Sequence, residues 1–170
     1  KAEGIEIDPQ ALDLIAAASG GSFRDAESLL EQARSLGKKI ALKEVETLIG
    51  RVGFARVHAL AVLIAEKKTK EALTYVEELE VQGVQITGFM KQLVHYFRRA
   101  TAIAVDPALA DLYRDMFTEE ELEELKALGL LMTPIRGVAL TKHFLNAYKE
   151  LRTSPIEAVP LEIAIIEATQ

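Results

Sequence analysis

The stretch GGSFRDAESL, residues 20–29, marks the start of a helix and gives that helix an unusual first turn. Ser22 is a favoured N-cap residue, and Asp25 three positions later completes a capping box. This cap puts Phe23 at the first helical position and Arg24 at the second. Because the first turn of a helix carries partial positive charge, an arginine there is less favourable than an acid by about 0.3–1 kcal/mol. A guanidinium beside the N–H groups of a helix start suits a phosphate, although a surface ion pair with a nearby carboxylate explains Arg24 as well.

Apolar residues at helical spacing extend on both sides of this start. Asp8 as N-cap and Pro9 at the first helical position begin a preceding helix. Further helices are predicted over residues 22–36 and 43–49. Three helices this short share one small core, so residues 1–50 are predicted to form a compact domain. A domain this small is marginally stable alone and is expected to be stabilised by contacts with a neighbouring domain.

A second domain is predicted over residues 51–170, after a boundary where Gly50 and Gly53 allow a change of direction. The fold is therefore predicted to be all-α, with a small three-helix bundle followed by a five-to-six-helix domain. In this second domain the spacing predicts helices over residues 55–67, 69–83 and 86–105, and others beginning at Thr118, Pro134 and Leu161, with Thr69 and Thr118 as N-caps. A further turn of helix is predicted over residues 107–116.

The composition excludes several classes of function. The chain has 170 residues, a net charge of −6 and no cysteine. An acidic surface is a poor match for DNA phosphates, so strong direct DNA binding is not expected. The lack of cysteine excludes a disulfide framework and a thiolate metal site, and no metal site is expected. No stretch of about twenty uninterrupted apolar residues could span a bilayer, and the composition fits a cytoplasmic protein.

The motif GSxRDAxSLL at residues 21–30 resembles the sensor 2 motif of the bacterial DNA polymerase III gamma/tau subunits, the AAA+ ATPases of the clamp loader. Residues 4–16 and 45–50 resemble the first and third helices of that family's lid domain. Residues 72–98 and 160–164 resemble its C-terminal collar domain. The resemblance covers nearly all of the chain, and it is specific in the sensor 2 stretch and looser in the collar.

The resemblance implies a role for each residue of the motif. Arg24 would be the sensor 2 arginine, which reaches the γ-phosphate of ATP on the ATPase domain. Ser22 and Asp25 would fix the helix start, and Asp25 would also orient Arg24. Phe23 would lie either near the nucleotide base or in the lid core. The collar implies other clamp-loader subunits as partners and, through the whole loader, the sliding clamp and primed DNA during replication.

Two features of an ATPase are missing from the chain. It has no P-loop pattern G-x-x-x-x-G-K followed by Ser or Thr, and no acidic cluster after a hydrophobic strand. With the resemblance, this predicts a lid-plus-collar fragment that has no catalytic residue or ATPase activity of its own and whose ATPase domain lay before Lys1. ATP and Mg²⁺ would then bind only in the intact parent, an AAA+ ATPase of the DNA polymerase III holoenzyme.

Two alternatives remain open at the level of sequence. Related lids, such as that of replication factor C, usually carry Gly-Asp-x-Arg where this chain has Ser22 in the second position, which argues against them. A freestanding helical oligomerisation scaffold with no nucleotide role would instead place Arg24 against a carboxylate.

Two surfaces of the second domain are candidates for contacts. Lys91, His95, Arg98 and Arg99 form a basic strip along one side of the helix over residues 86–105. Three interpretations of this strip are open. It is either a solvated face or a contact with another subunit, and a contact with DNA is the third interpretation. His95 has no second histidine or cysteine at metal-ligand spacing. The helix over residues 161–168 is apolar, and its exposed remainder is suited to pair with another chain.

Overall fold

A computed structural model of the chain describes residues 6–19, 21–36, 39–48, 53–151 and 153–170. The described chain is helical apart from two short strands, β1 (Glu6–Ile7) and β2 (Lys39–Ile40). The predicted all-α fold class is therefore confirmed.

The N-terminal part contains α1 (Pro9–Ala18), α2 (Phe23–Leu36) and α3 (Leu42–Leu48). The three helices enclose a small apolar core in which Ile40 of β2 is also buried. This core consists of Ala11, Leu14, Ile15, Ala33, Ile40 and Val45.

The two strands pair in parallel, with Glu6 opposite Lys39 and Ile7 opposite Ile40. The backbone N–H of Asp8 extends the pairing by donating to the Ile40 carbonyl at 2.9 Å. This pairing ties the segment that leads into α1 to the segment that follows α2. Sequence spacing did not predict the strands, because two residues are too few to show an alternating pattern.

The rest of the chain contains six α-helices among the residues the structure describes, which matches the five to six predicted. These are α4 (Phe54–Ala65), α5 (Thr69–Val81), α6 (Ile86–Val105), α7 (Glu119–Leu131), α8 (Pro134–Leu151) and α9 (Val159–Thr169). A 3-10 helix (Pro107–Met116) connects α6 to α7.

The 20-residue α6 is the central element of this larger domain. It packs against α4, α7, α8 and the 3-10 helix. Nine of its residues are buried, and their spacing places them on one broad face of the helix. The elements around α6 are therefore held in place mainly through their contacts with it.

The helix caps confirm one prediction and correct another. Thr118 caps α7 in a complete capping box, in which its hydroxyl accepts from the Glu121 N–H at 3.3 Å and the Glu121 carboxylate accepts from the Thr118 N–H at 3.0 Å. The prediction that Thr69 caps α5 was wrong, because Lys68 is the N-cap. The Thr69 hydroxyl instead lies 2.7 Å from that of Thr169 and links α5 to α9.

The predicted domain boundary falls largely on residues 49–52, which lie outside the described residues. The buried residues form two clusters that share no member, one built from α1–α3 with β2 and one from Phe54 onward. The division at residues 50 and 51 stays a prediction. No helix in the described ranges is long and apolar enough to cross a membrane.

Candidate functional site

The corner between α1 and α2 presents the first turn of α2. Ser19 is the C-cap of α1, and its buried hydroxyl donates to the Ile15 carbonyl at 2.6 Å. Gly21 follows in the left-handed region with φ of +82°, a conformation that side chains other than glycine's rarely adopt. Ser22 then donates its N–H to the Ser19 carbonyl at 2.9 Å. The start of α2 is thus fixed to the end of α1.

Half of the predicted capping box at Ser22 is present. The Ser22 hydroxyl accepts from the Asp25 N–H at 3.3 Å, so Ser22 acts as the predicted cap. The Ser22 N–H, which Asp25 would bind in a complete box, donates to Ser19 instead. The Asp25 carboxylate is therefore exposed beside Arg24, on the acid-favouring first turn of α2.

Arg24 and Phe23 both point away from the lid core. Arg24 is exposed, and no residue in the described ranges forms a hydrogen bond or ion pair with its guanidinium. The Phe23 side chain is 86% exposed, so the alternative that it lies in the lid core was wrong. Its other predicted place, near a nucleotide base, stays a prediction.

The donors at this turn fit a terminal phosphate. An unpartnered guanidinium on the first turn of a 14-residue helix combines a fixed positive charge with the favourable end of the helix dipole. The guanidinium can donate two parallel hydrogen bonds to phosphate oxygens. The turn that Ser22 caps therefore presents Arg24 in a position able to bind a phosphate, and the contact of Arg24 with a nucleotide stays a prediction.

The pairing of β1 with β2 supports this turn from the opposite end of α2. Asp8, the N-cap of α1, makes no cap hydrogen bond with its side chain. It forms an ion pair instead, with its Oδ1 3.2 Å from Nζ of Lys39. Because the Lys39 side chain is largely exposed and that of Asp8 is partly exposed, the pair contributes little stability, and the buried Ile40 beside it is the main anchor.

An aromatic cluster lies where the larger domain begins. The Phe54 ring at the start of α4 stacks on that of His58, with centroids 5.9 Å apart, and meets the edges of Tyr96 and Phe117. A cavity of about 200 Å³ between Phe54 and the lid side chains of Leu14 and Leu42 adjoins the cluster. The lid therefore approaches the larger domain at the N-terminus of α4.

His58 connects this cluster to α6 and α7. Its Nδ1 lies 2.6 Å from the Tyr96 hydroxyl, and its Nε2 lies 4.0 Å from a Glu124 carboxylate oxygen. Since a carboxylate only accepts, the neutral ring is best arranged with N–H on Nε2 and with Nδ1 accepting from Tyr96. Burial lowers the pKa of His58, and Glu124 partly opposes that shift.

The lowered pKa of His58 predicts that the free energy of unfolding decreases at acidic pH. The unfolded chain binds a proton on His58 near its ordinary pKa of about 6.5, whereas the folded chain resists protonation to lower pH. The contribution of neutral His58 to the free energy of unfolding is therefore fully present above about pH 6.5. It is lost as the pH drops toward the lower pKa of the folded state. Urea denaturation between neutral and mildly acidic pH should show this fall, and His58→Gln should make it shallower.

His95 makes a second contribution to this pH dependence, because its pKa is also lowered, first by burial and then by Arg99, Arg98 and Lys91. His95→Gln should therefore reduce the slope independently of His58→Gln. An unchanged slope in His58→Gln would contradict the lowering of the His58 pKa by burial.

The basic strip on α6 is narrower than predicted. Lys91 and Arg98 are exposed and His95 is partly buried. Arg99 lies over the Phe117 ring at 5.1 Å and the Tyr113 ring at 6.0 Å, where a cation–π contact stabilises the 3-10 helix against α6. Arg99 therefore packs within its own domain, and the interface role of the other three stays a prediction.

The described residues contain no group of three or more His, Cys, Asp or Glu side chains that could hold a metal ion.

Comparisons with known proteins decide the family. Residues 1–39 match the family model described as DNA polymerase III clamp loader subunit, ATPase lid domain. Residues 40–170 match the one described as DNA polymerase III subunits gamma and tau domain III. The chain belongs to the gamma and tau family of DNA polymerase III subunits. The first match contains the α2 turn with Arg24, and the second begins at Ile40 and contains α3 together with α4–α9.

Relatives of this gamma/tau-family chain occur in bacteria and plants. DNA polymerase III subunit tau of Bacillus subtilis is 27% identical over 171 residues, which is 99% of this chain and 30% of that protein. Protein STICHEL-like 1 of Arabidopsis thaliana is 37% identical over 136 residues, 76% of this chain and 12% of that protein. The gamma/tau-family chain thus spans less than a third of each of these relatives.

A solved structure shares the fold. The DNA clamp loader delta protein of Bacillus subtilis superposes with a TM-score of 0.57 at 14% identity, covering 99% of this chain and 52% of that one. At this identity the likeness concerns the arrangement of the helices alone.

Proposed function

We propose that the chain is the lid and collar of a gamma/tau-type clamp-loader subunit and that its lid senses ATP on an adjoining ATPase domain. The observation that carries the proposal is the exposed, unpartnered guanidinium of Arg24 on the capped first turn of α2, within the part of the chain that matches a clamp-loader ATPase lid. A scaffold with no nucleotide role predicted a carboxylate against Arg24, and none of the described residues supplies one.

The sensing step follows from charge. Arg24 donates charge-assisted hydrogen bonds to the γ-phosphate while ATP is bound, and these bonds disappear when that phosphate leaves. Mg²⁺ accompanies the nucleotide on the ATPase domain and takes no ligand from this chain. Because only the ATP state has these bonds, they favour one orientation of the lid relative to the ATPase domain.

The orientation of the lid is then passed to the collar. Phe54 at the start of α4 lines the same cavity as the lid side chains Leu14 and Leu42, so a change in the orientation of the lid acts on the first helix of the collar. The collar joins this subunit to other clamp-loader subunits, so that ATP binding is coupled to placing the sliding clamp on primed DNA in the cytoplasm. The net charge of −6 leaves direct DNA contacts to other parts of that assembly.

The test is Arg24→Ala in a full-length gamma/tau subunit that carries this lid. A hydrogen bond to a charged group contributes about 1.5–3 kcal/mol, so ATP affinity should fall about 10- to 100-fold. ADP affinity should be unchanged, because ADP lacks the phosphate that Arg24 contacts. Fluorescence titration with both nucleotides and an ATP-dependent clamp-loading assay measure these effects.

Arg34→Ala is the matched control, since Arg34 lies on the same helix, is exposed and pairs with Glu31 at 3.2 Å. It removes the same charge from the same helix and should leave both affinities unchanged. Equal losses in the two variants would show a general electrostatic effect. Normal ATP affinity and clamp loading with Arg24→Ala would overturn the sensing role.

A further inference from the structure

One side of α8 exposes a regular row of apolar and basic side chains. The row has positions i, i+3, i+7, i+10 and i+14, which share one face of a helix. Ile135 is 85% exposed, Val138 43% and Leu145 39%. Lys142 and Lys149 are exposed, and neither pairs with an acid among the described residues. We call these five residues the α8 ridge.

A groove of the opposite charge lies between α5 and α9. It has a volume of about 710 Å³, and Leu73 and Ile166 supply apolar side chains to its lining. Glu77, Glu80 and Glu162 line it with carboxylates, none of which pairs with a base in the described part of the chain. Lys70 is the basic residue of the lining. We call this feature the α5–α9 groove.

The two surfaces are complementary but lie on different helices. The described lining of the groove contains no residue of α8, so the ridge of one molecule does not fill its own groove. Within the described chain, the ridge combines exposed apolar side chains with two unpaired lysines, and the groove combines apolar side chains with three unpaired glutamates and one lysine. Proteins often associate by placing one helix in a groove between two others. The side chains that enter the groove then lie at positions i, i+3 and i+7 of the helix.

We propose that the α8 ridge of one copy of this chain docks in the α5–α9 groove of the next. This inference rests on the collar role proposed above and names the surfaces through which two copies meet. The contact is head-to-tail, because each copy contributes a different surface to it, and such contacts build rings or open chains. Because oppositely charged side chains meet in this contact, the association weakens as the salt concentration rises.

Charge reversal tests the contact on the chain as it exists. Lys142→Glu/Lys149→Glu makes the ridge acidic, and Glu77→Lys/Glu80→Lys makes the groove basic. Each double variant alone should self-associate at least about tenfold more weakly in sedimentation equilibrium. An equimolar mixture should associate again, because an acidic ridge then meets a basic groove and a basic ridge meets an acidic groove. A chain with all four changes should associate by itself.

Arg34→Glu/Arg114→Glu is the matched control, since both side chains are exposed, neither belongs to the ridge or the groove, and the pair makes the same change in net charge as the ridge variant. This variant should associate like the parent, and circular dichroism should show the parent's helicity and melting temperature in every variant. The ridge–groove contact is overturned if the mixture fails to associate, if the control variant dissociates as much as the ridge variant, or if the parent is monomeric up to its solubility limit. The clamp-loading assay on the full-length protein is independent of these outcomes and still tests the proposed function.

Discussion

Phe144→Ala is expected to lower the free energy of unfolding by about 3–5 kcal/mol, the usual cost of removing a fully buried aromatic side chain. Phe144 of α8 has no exposed surface, and its ring stacks on Phe97 of α6 with centroids 5.3 Å apart and planes 19° from parallel. The loss combines the apolar area returned to water with a cavity that helices fixed on both sides cannot close. Urea denaturation followed by circular dichroism measures the change.

Leu130→Ala is the control for this prediction, because Leu130 lies on α7 and is 70% exposed. It removes an apolar side chain from a helix and should change stability by no more than about 0.5 kcal/mol. A comparable loss in both variants would mean that the larger effect comes from helix formation and not from the buried ring pair.

The stacked pair also predicts a specific coupling. Phe97→Ala should cost about as much as Phe144→Ala, and the double variant should cost less than the two together by about 0.5–1.5 kcal/mol. Strict additivity would contradict a direct contact between the rings. Because Arg24 lies in the lid and both rings lie in the collar, these variants also separate loss of fold from loss of nucleotide sensing.

The helices could be predicted from the sequence because their signals are local. Apolar residues at helical spacing place α6 at Ile86–Val105, the bounds that spacing alone predicts. The Thr118 capping box is read from four adjacent residues. Lys68, by contrast, is not a favoured N-cap, and Thr69 is engaged by Thr169, one hundred residues away. An N-cap is predicted from neighbouring residues, so the prediction cannot take account of a partner so distant in the sequence.

The candidate site also has features that local sequence predicts and features that depend on tertiary packing. The capped turn with Arg24 is a local pattern, and its likeness to a lid motif extends over ten residues. Whether Phe23 faces the core or the solvent depends on which side of α2 packs on α1 and α3, and its first-turn position does not decide that. The contact of His58 with Tyr96 joins residues 38 positions apart, so no short motif contains it.

The α8 ridge shows that helical spacing identifies apolar positions but does not decide which of them are buried. The positions of Ile135, Val138 and Leu145 are visible in the sequence, but Leu140, Phe144 and Ala147 are also at helical spacing on the same helix. Only the packing of α8 on α6 decides which set is buried. Sequence reasoning selects the buried set because it is larger and more continuous, and it leaves the exposed set without a function.

The close approach of α8 to α6 sets the angle between the ridge and the basic strip, and Gly137 makes that approach possible. A Cβ atom on Gly137 would lie 2.5 Å from the Thr101 Oγ1 and 3.0 Å from its Cγ2. Thr101 is buried, and its hydroxyl donates to the Phe97 carbonyl at 2.6 Å, so it cannot turn away without losing that hydrogen bond. The two helices must therefore separate to admit a methyl group.

Gly137→Ala should consequently destabilise the protein by about 2–3 kcal/mol, although the same change in an open helix position stabilises by about 1 kcal/mol. Urea denaturation of a double-mutant cycle with Thr101→Ala tests the cause. Thr101→Ala removes the Oγ1 and Cγ2 atoms that a Cβ at position 137 would meet first. In that background Gly137→Ala should cost at least about 1 kcal/mol less than in the parent. If the cost is the same in both backgrounds, the glycine is needed for a reason other than its contact with Thr101, and the crossing of α6 and α8 does not depend on this pair.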